Sequence, residues 1–387
     1  MRILIVGSDA NAYTLARYFN FDKNVDVVFV APGNKYISEF AECVDISDTE
    51  NEELLDFVVA NEVSLTVVTS LKAIENDIAG YFTDFRRNIF APSFDSAYSA
   101  LYKSASKKTL YKLNIPTVRF GVFDRENQAV NYVSDSRIPL VIKSDSSSCA
   151  EKPILVNSFS NAKRVVEKFF MQPESKIIIE DYIDAKQVFL YFITDGYSAL
   201  PFGSCSYDNN SSSSVFSPDN ALSENIVKQV LNRVIYPYID YCSSKNNPYC
   251  GIIGVDLLVE DDTYKVIELI PFFKELHFQS ILPRLNQNLS ELLLSVAVGS
   301  FSDEYNRIDM NESGVYSKIV DFEIKNNDIA QYDEDNFYYS YDCKGRLILS
   351  KKAMTYSRSK ENLDCAIMYL RLLNNLTDEV PYEKVKL

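Results

Sequence analysis

Short β-branched apolar runs alternate with helical stretches over the first quarter of the chain. Residues 2–6, 25–30, 64–69 and 89–91 read as strands, and residues 12–19, 52–60 and 74–85 as helices between them. Strand and helix in strict alternation predict a parallel sheet with crossover helices, a doubly wound, Rossmann-like domain over residues 1–96. A lysine-bearing helix follows at 97–113 and is stopped by Ile115-Pro116-Thr117. The pattern then changes to strands at 118–123, 139–143, 154–156 and 176–180 around a helix at 161–170, which predicts a small α+β lid within about residues 118–186.

A second sheet is expected to open at 188–193 and continue at 199–206. The serine tract at 209–214 reads as a mobile polar connection. A helix at 223–242 leads into a hairpin, 251–259 against 264–270, whose turn is Glu260-Asp261-Asp262-Thr263, and a helix at 289–298 closes that core. The second domain is thus placed at 97–310. Residues 311–387, with strands at 317–324 and 347–350 and a helix at 360–374, form a small final unit.

Composition narrows the function classes. In 387 residues there are 39 basic and 54 acidic side chains, a formal charge of −15. That balance argues against holding a nucleic-acid backbone through counterion release. Seven scattered cysteines, without a metal-binding spacing, read as reduced thiols. The apolar start Met1 to Gly7 lacks the long core and cleavage site of a secretory signal, and charges interrupt every apolar stretch long enough to span a bilayer. A cytoplasmic protein acting without a membrane partner is the expectation.

Candidate chemistry collects at strand ends. Glu268 ends an apolar strand, where a hard cation bound to phosphates would be held. Asp256 stands on the neighbouring strand, and Lys143 and Glu180 end strands of the lid. Gly7 alone marks the first strand-to-helix turn, whereas a dinucleotide site needs three glycines there. His277, the sole histidine, follows the Glu268 strand in the turn Lys274 to His277, where a base or ligand role is open, although a lone histidine beside Phe278 more often reads as a packed or surface residue.

The order of these elements resembles the ATP-grasp ligases, and among them phosphoribosylamine-glycine ligase (glycinamide ribonucleotide synthetase). The likeness rests on Arg2 to Ser8, Ala91-Pro92-Ser93, Asn114 to Thr117, Pro139 to Asp145, Ile179 to Asp184, Thr194-Asp195-Gly196 before Leu200-Pro201, and Val266-Ile267-Glu268 through Leu285. It implies an ATP-grasp fold of two α+β subdomains after the Rossmann-like domain, with a small C-terminal domain. It also implies ATP and Mg2+ as cofactors, and small carboxylate and amine substrates joined through an acyl phosphate. Carried over by position, the nucleotide would meet Lys103, Lys143, the adenine segment Glu180 to Tyr182, and Gln187 where the family has a ribose-binding carboxylate. Glu268 matches a magnesium ligand of the family; Asp256 could supply a second carboxylate, which the family does not usually place there, and Lys152 could lend charge to the nucleotide.

The departures from that family point one way. Its glycine-rich phosphate loop is replaced by Asp145 to Pro153, and no glycine occurs between Gly121 and Gly196. The first turn, which would face a phosphoribosyl group, carries Asp9, and the long substrate loop is replaced by Tyr207 to Ser214. Ile270 stands in place of an asparagine metal ligand and Phe272 in place of an arginine facing phosphate. The resemblance with these losses implies a divergent, catalytically degenerate homologue serving as a binding or scaffolding partner for another protein. The alternative is an active ATP-dependent carboxylate-amine ligase, on a different substrate pair or as the purine-biosynthesis enzyme itself.

Overall fold

The fold is described from a computed structural model, over residues 1–145, 153–171, 176–208, 211–320, 337–341, 346–354, 358–364 and 367. The N-terminal part is the expected parallel sheet. Strands β1 (Arg2–Gly7), β2 (Val27–Pro32), β3 (Glu42–Cys43), β4 (Leu65–Val68) and β5 (Ile89–Phe90) lie in the order β3-β2-β1-β4-β5. Helices α1 (Ala10–Asn20), α2 (Asn51–Ala60), α3 (Leu71–Glu75) and α4 (Ile78–Asp84) connect them. Alternation along β1 sends Ile3 and Ile5 into one core with Tyr13 and Phe19, and Leu4 and Val6 into another with Leu54 and Ile74. Both faces are covered, which is why the strand is apolar throughout.

The expected single helix at 97–113 is two, α5 (Phe94–Leu101) and α6 (Lys103–Lys112), separated by Tyr102 in an extended conformation. The break is stabilised from outside: the Asp145 carboxylate accepts from the Ser104 amide at 2.7 Å and from its hydroxyl, capping the start of α6.

The lid comprises β6 (Phe120–Phe123), α7 (Glu126–Ser134), β7 (Leu140–Ser144), β8 (Ile154–Val156), α8 (Phe159–Phe170) and β9 (Ile177–Asp181), with strand order β6-β9-β7-β8. Its core packs Ile142, Val156, Val166, Ile177 and Ile179. Side chains one residue away face the opposite side of the sheet. Lys143 and Glu180 therefore leave the lid core and enter the cleft beneath it.

The largest sheet has eight strands. They are β10 (Lys186–Asp195), β11 (Ala199–Asp208), β12 (Ser211–Ser217), β13 (Cys250–Glu260), β14 (Thr263–Ile270), β15 (Gly314–Val320), β16 (Phe337–Tyr341) and β17 (Leu347–Ala353), in the order β14-β13-β10-β11-β12-β15-β17-β16. Residues 211–214 of the serine tract are not a loop: Ser211–Ser217 is a central strand bonded to β11 on one side and β15 on the other, and residues 209 and 210 lie outside the described residues. Serine is tolerated because both neighbours satisfy its backbone and Val215 fills the core. The C-terminal strands extend this same sheet. The expected helix at 360–374 is seen at 358–364; its later part, and the expected strand beyond residue 320, lie outside the described residues.

Between β12 and β13 the chain forms α9 (Glu224–Val230), one π turn (Leu231–Ile235) and α10 (Tyr236–Ser244), in place of one continuous helix. The turn ends at Ile235, directly before Tyr236-Pro237, whose proline cannot donate into a regular ladder. Helices α11 (His277–Ile281), α12 (Leu289–Val298) and α13 (Phe301–Glu304) follow β14. No described helix is long and apolar enough to cross a membrane. Among the described residues Cys43, Cys205, Cys242 and Cys250 are free thiols.

Candidate functional site

In an open α/β sheet, ligands bind beyond the carboxyl ends of the strands where the strand order reverses. Here that point lies between β1 and β4. A cavity of about 490 Å³ opens there, with Asp9 and Thr69 on one wall and Lys103, Glu268 and Phe272 on the other. Asp9 caps α1: its carboxylate accepts from the Ala12 amide at 2.8 Å and from the Thr69 hydroxyl at 2.9 Å. A helix start is a ready anion site, and here a carboxylate of the chain itself occupies it. Burial pushes the Asp9 carboxyl up, and these hydrogen bonds oppose that rise.

Beside the cavity, beneath the lid, lies a buried charged network. Glu180 accepts an ion pair on each oxygen, Lys107 at 2.9 Å on one and Lys143 at 2.9 Å on the other. Burial pushes the Lys107 ammonium down against the pull of Glu180. Lys143 feels burial too, but Glu180, Glu268 and Asp256 together hold it above its ordinary value. Lys107 is further fixed by the Thr117 hydroxyl at 3.0 Å, which itself donates to the Val266 carbonyl at 2.6 Å and so ties α6 to β14.

The second half of the network sits on β13 and β14. Asp256 and Glu268 are opposed residues of the hairpin, next to a bulge. The Lys274 ammonium lies 3.1 Å from Glu268 and 3.7 Å from Asp256. The Gln187 amide donates to both Asp256 oxygens at 2.9 Å. Burial raises the Asp256 carboxyl, with Lys274 opposing. At Glu268 burial is outweighed by Lys274, Lys143 and Lys103, which hold it below the usual range.

Five of the residues singled out in the sequence thus converge: Lys143, Glu180, Gln187, Asp256 and Glu268. Lys103 joins them from the cavity wall, where its charge acts on Glu268. Tyr182 stands apart, partly exposed, its hydroxyl 3.3 Å from Asp184 and its backbone amide bonded to the Pro139 carbonyl. Lys152 lies outside the described residues. Two members were missed. Lys107 carried a signal, since it lies one helical turn after Lys103 on the face that also buries Ser104 and Leu110. Lys274 carried less: a lone cation directly after Phe272 and Phe273, close to a strand-end carboxylate.

His277 is fully buried among Phe189, Tyr191 and Tyr207, with Nδ1 2.6 Å from the Tyr191 hydroxyl. It is a packed residue of the wall beneath the network. Burial and the nearby Lys274 charge push its pKa well down.

Comparisons with known proteins agree with this architecture. Family models match residues 1–98 as phosphoribosylglycinamide synthetase, N domain, and residues 102–276 as phosphoribosylglycinamide synthetase, ATP-grasp (A) domain. A phosphoribosylamine-glycine ligase of Lactococcus lactis is 27% identical over 331 residues, which cover 83% of this chain and 79% of that protein. The crystal structure of phosphoribosylamine-glycine ligase from Thermotoga maritima superposes with a TM-score of 0.75 at 13% identity, covering 93% of this chain and 95% of that one. The biotin carboxylase domain of Hydrogenobacter thermophilus 2-oxoglutarate carboxylase, solved with MgADP, reaches a TM-score of 0.68 at 12% identity, with 94% and 88% covered. At such identities the two structures speak for the fold alone. With its Rossmann-like domain, lid and eight-stranded sheet in this order, the chain belongs to the ATP-grasp superfamily and resembles the phosphoribosylamine-glycine ligases.

Proposed function

We propose that this chain is a catalytically degenerate homologue of phosphoribosylamine-glycine ligase, which keeps the scaffold without the ligation and acts by binding a protein partner. The observation that carries this reading is the wall of the switch-point cavity. At the positions where the family places charge for a phosphoribosyl group and an acyl phosphate, the cavity wall carries the Asp9 carboxylate and the apolar side chains of Ile270, Phe272 and Phe273, while its cations Lys103, Lys274 and Arg346 stand elsewhere in the lining. Stabilising developing charge is commonly the largest catalytic contribution, and enhancements run to about 8 to 23 kcal/mol. An anion and a hydrocarbon surface at those positions supply none of it.

Magnesium does not fit the residues present. Glu268 and Asp256 are already engaged by Lys274 and Gln187, and Ile270 offers no oxygen. No group of three or more His, Cys, Asp or Glu that could hold a metal occurs among the described residues.

One observation favours a second reading, an active ATP-dependent ligase on other substrates: the Lys107-Glu180-Lys143 arrangement is complete and almost wholly buried. In that reading Lys103, Lys107 and Lys143 would face the nucleotide phosphates, and ATP would supply the phosphoryl group that activates a carboxylate.

Calorimetric titration with ATP and with ADP, each with and without Mg2+, separates the readings when combined with an assay for ADP release from glycine and phosphoribosylamine. The degenerate reading expects no substrate-dependent ADP release. Release with glycine and phosphoribosylamine overturns it in favour of the purine enzyme, and release with another carboxylate and amine overturns it in favour of a different ligase.

A further inference from the structure

We infer that Lys274 is a tethered substitute for the divalent cation at the Asp256–Glu268 pair, so that this hairpin carries its own counter-ion and takes up no metal. Two carboxylates opposed across neighbouring strands repel one another, and a cation between them relieves that repulsion. The Lys274 ammonium is that cation. It lies 3.1 Å from Glu268 Oε1 and 3.7 Å from Asp256 Oδ2. One positive charge leaves one carboxylate uncompensated, and the two Gln187 hydrogen bonds to Asp256 and the field of Lys143 address the remainder.

The backbone that delivers the ammonium is itself anchored. The Lys274 amide lies 3.4 Å from the Tyr191 hydroxyl, and the Lys274 carbonyl accepts from the His277 amide at 3.1 Å. Phe273 packs on the Tyr191 ring with centroids 4.5 Å apart, and the ammonium sits 4.8 Å from the centre of the Phe189 ring. Leu276, with φ of +71°, closes the turn. A charge on a short tether reaches an effective concentration on the order of millimolar or higher, and its entropy of binding is already spent.

This inference goes beyond the proposed loss of ligation, because a tethered cation is compatible with a nucleotide held or not held in the cleft. Its test uses Mn2+ alone, followed by the loss of the free-ion electron paramagnetic resonance signal on the full chain. The wild-type protein is expected to show no Mn2+ site that Glu268→Gln removes. Lys274→Gly, and Lys274→Ser as a second variant, are expected to gain one Mn2+ site, which Glu268→Gln added to either variant abolishes. A Glu268-dependent Mn2+ site in the wild type overturns the inference, and this arm needs no substituted chain to keep its fold. A folded Lys274 variant, judged by near-ultraviolet circular dichroism, that gains no site overturns it as well. Neither result depends on turnover, so this inference and the proposed degeneracy can fail separately.

Discussion

The Tyr191 hydroxyl and His277 Nδ1 are 2.6 Å apart at the bottom of the charged network, and His277 Nε2 has no hydrogen-bond partner among the described residues. The folded chain therefore keeps this imidazole neutral, whereas the unfolded chain protonates it near 6.5. Because the folded-state pKa is the lower one, the stability contributed by the neutral ring is complete above that pH. It is lost as the pH falls towards the folded value, at up to about 1.4 kcal/mol per pH unit. His277→Phe removes the titration and keeps an aromatic ring in the cage. Urea midpoints of both chains at pH 7.5, 6.5 and 5.5 should show the wild type losing ground to the variant with each step into acid, and a constant difference would contradict this account.

Glu180 is the anion shared by two buried ammonium groups. Glu180→Gln removes the carboxylate paired with both Lys107 and Lys143 and leaves them only the field of Glu268 and Asp256, and removing one partner of a buried pair costs roughly 3 to 5 kcal/mol. Lys107→Met leaves Lys143 and Glu180 as a balanced pair and should cost clearly less. Equilibrium denaturation of the two variants tests the order, and equal losses would mean that the lysines do not act through Glu180.

The Asp9 cap predicts a graded series. Asp9→Ala should cost about 1 kcal/mol, the usual value of a lost N-cap, while Asp9→Ser should keep most of the stability because its hydroxyl still accepts from the α1 amides. Inorganic phosphate, titrated against thermal stability, should stabilise the Asp9→Ser chain more than the wild type, whose own carboxylate blocks the helix start. Equal phosphate responses would show that the carboxylate does not block it.

Arg284 ties the end of β12 to the loop before β15: Nε donates to the carbonyls of Asn311 and Ser313 at 3.1 Å each, and Nη1 to the Ser217 hydroxyl at 3.1 Å. Burial pushes its guanidinium down to about 10. Lysine cannot reproduce that fork. Arg284→Lys should lower stability by about 1 to 3 kcal/mol, the cost of leaving buried acceptors unpaired, as read from urea unfolding; an unchanged midpoint would assign the tie to other contacts.

The parallel domain was legible because apolar period and β-branched runs decide it locally, as Ile3 to Val6 show. The network was legible in part: strand ends marked Lys143, Glu180 and Glu268, since a polar residue near the end of an apolar strand is informative by itself, and Asp256 drew notice as a carboxylate on the strand next to Glu268. Lys274 was not, because its meaning depends on a carboxylate of the opposite strand 18 positions earlier, at Asp256. The serine strand was misread for a related reason. Its polar composition argues for a loop, and only pairing with β15, about one hundred residues later in the chain, makes it interior. Tyr102, whose extended backbone divides α5 from α6, likewise answers to Asp145 on the lid.

That interior strand has a consequence for how the molecule tolerates loss. Strand β12 lends one edge to β11 and the other to β15, so the chain after residue 313 seals a sheet that begins with β14 at the charged hairpin. A chain shortened there would bare the unpaired N–H and C=O groups of β12, and an uncovered edge is a template for self-association. A single charge change in the cleft leaves both edges of β12 covered, whereas loss of the C-terminal strands would open one in the middle of the sheet.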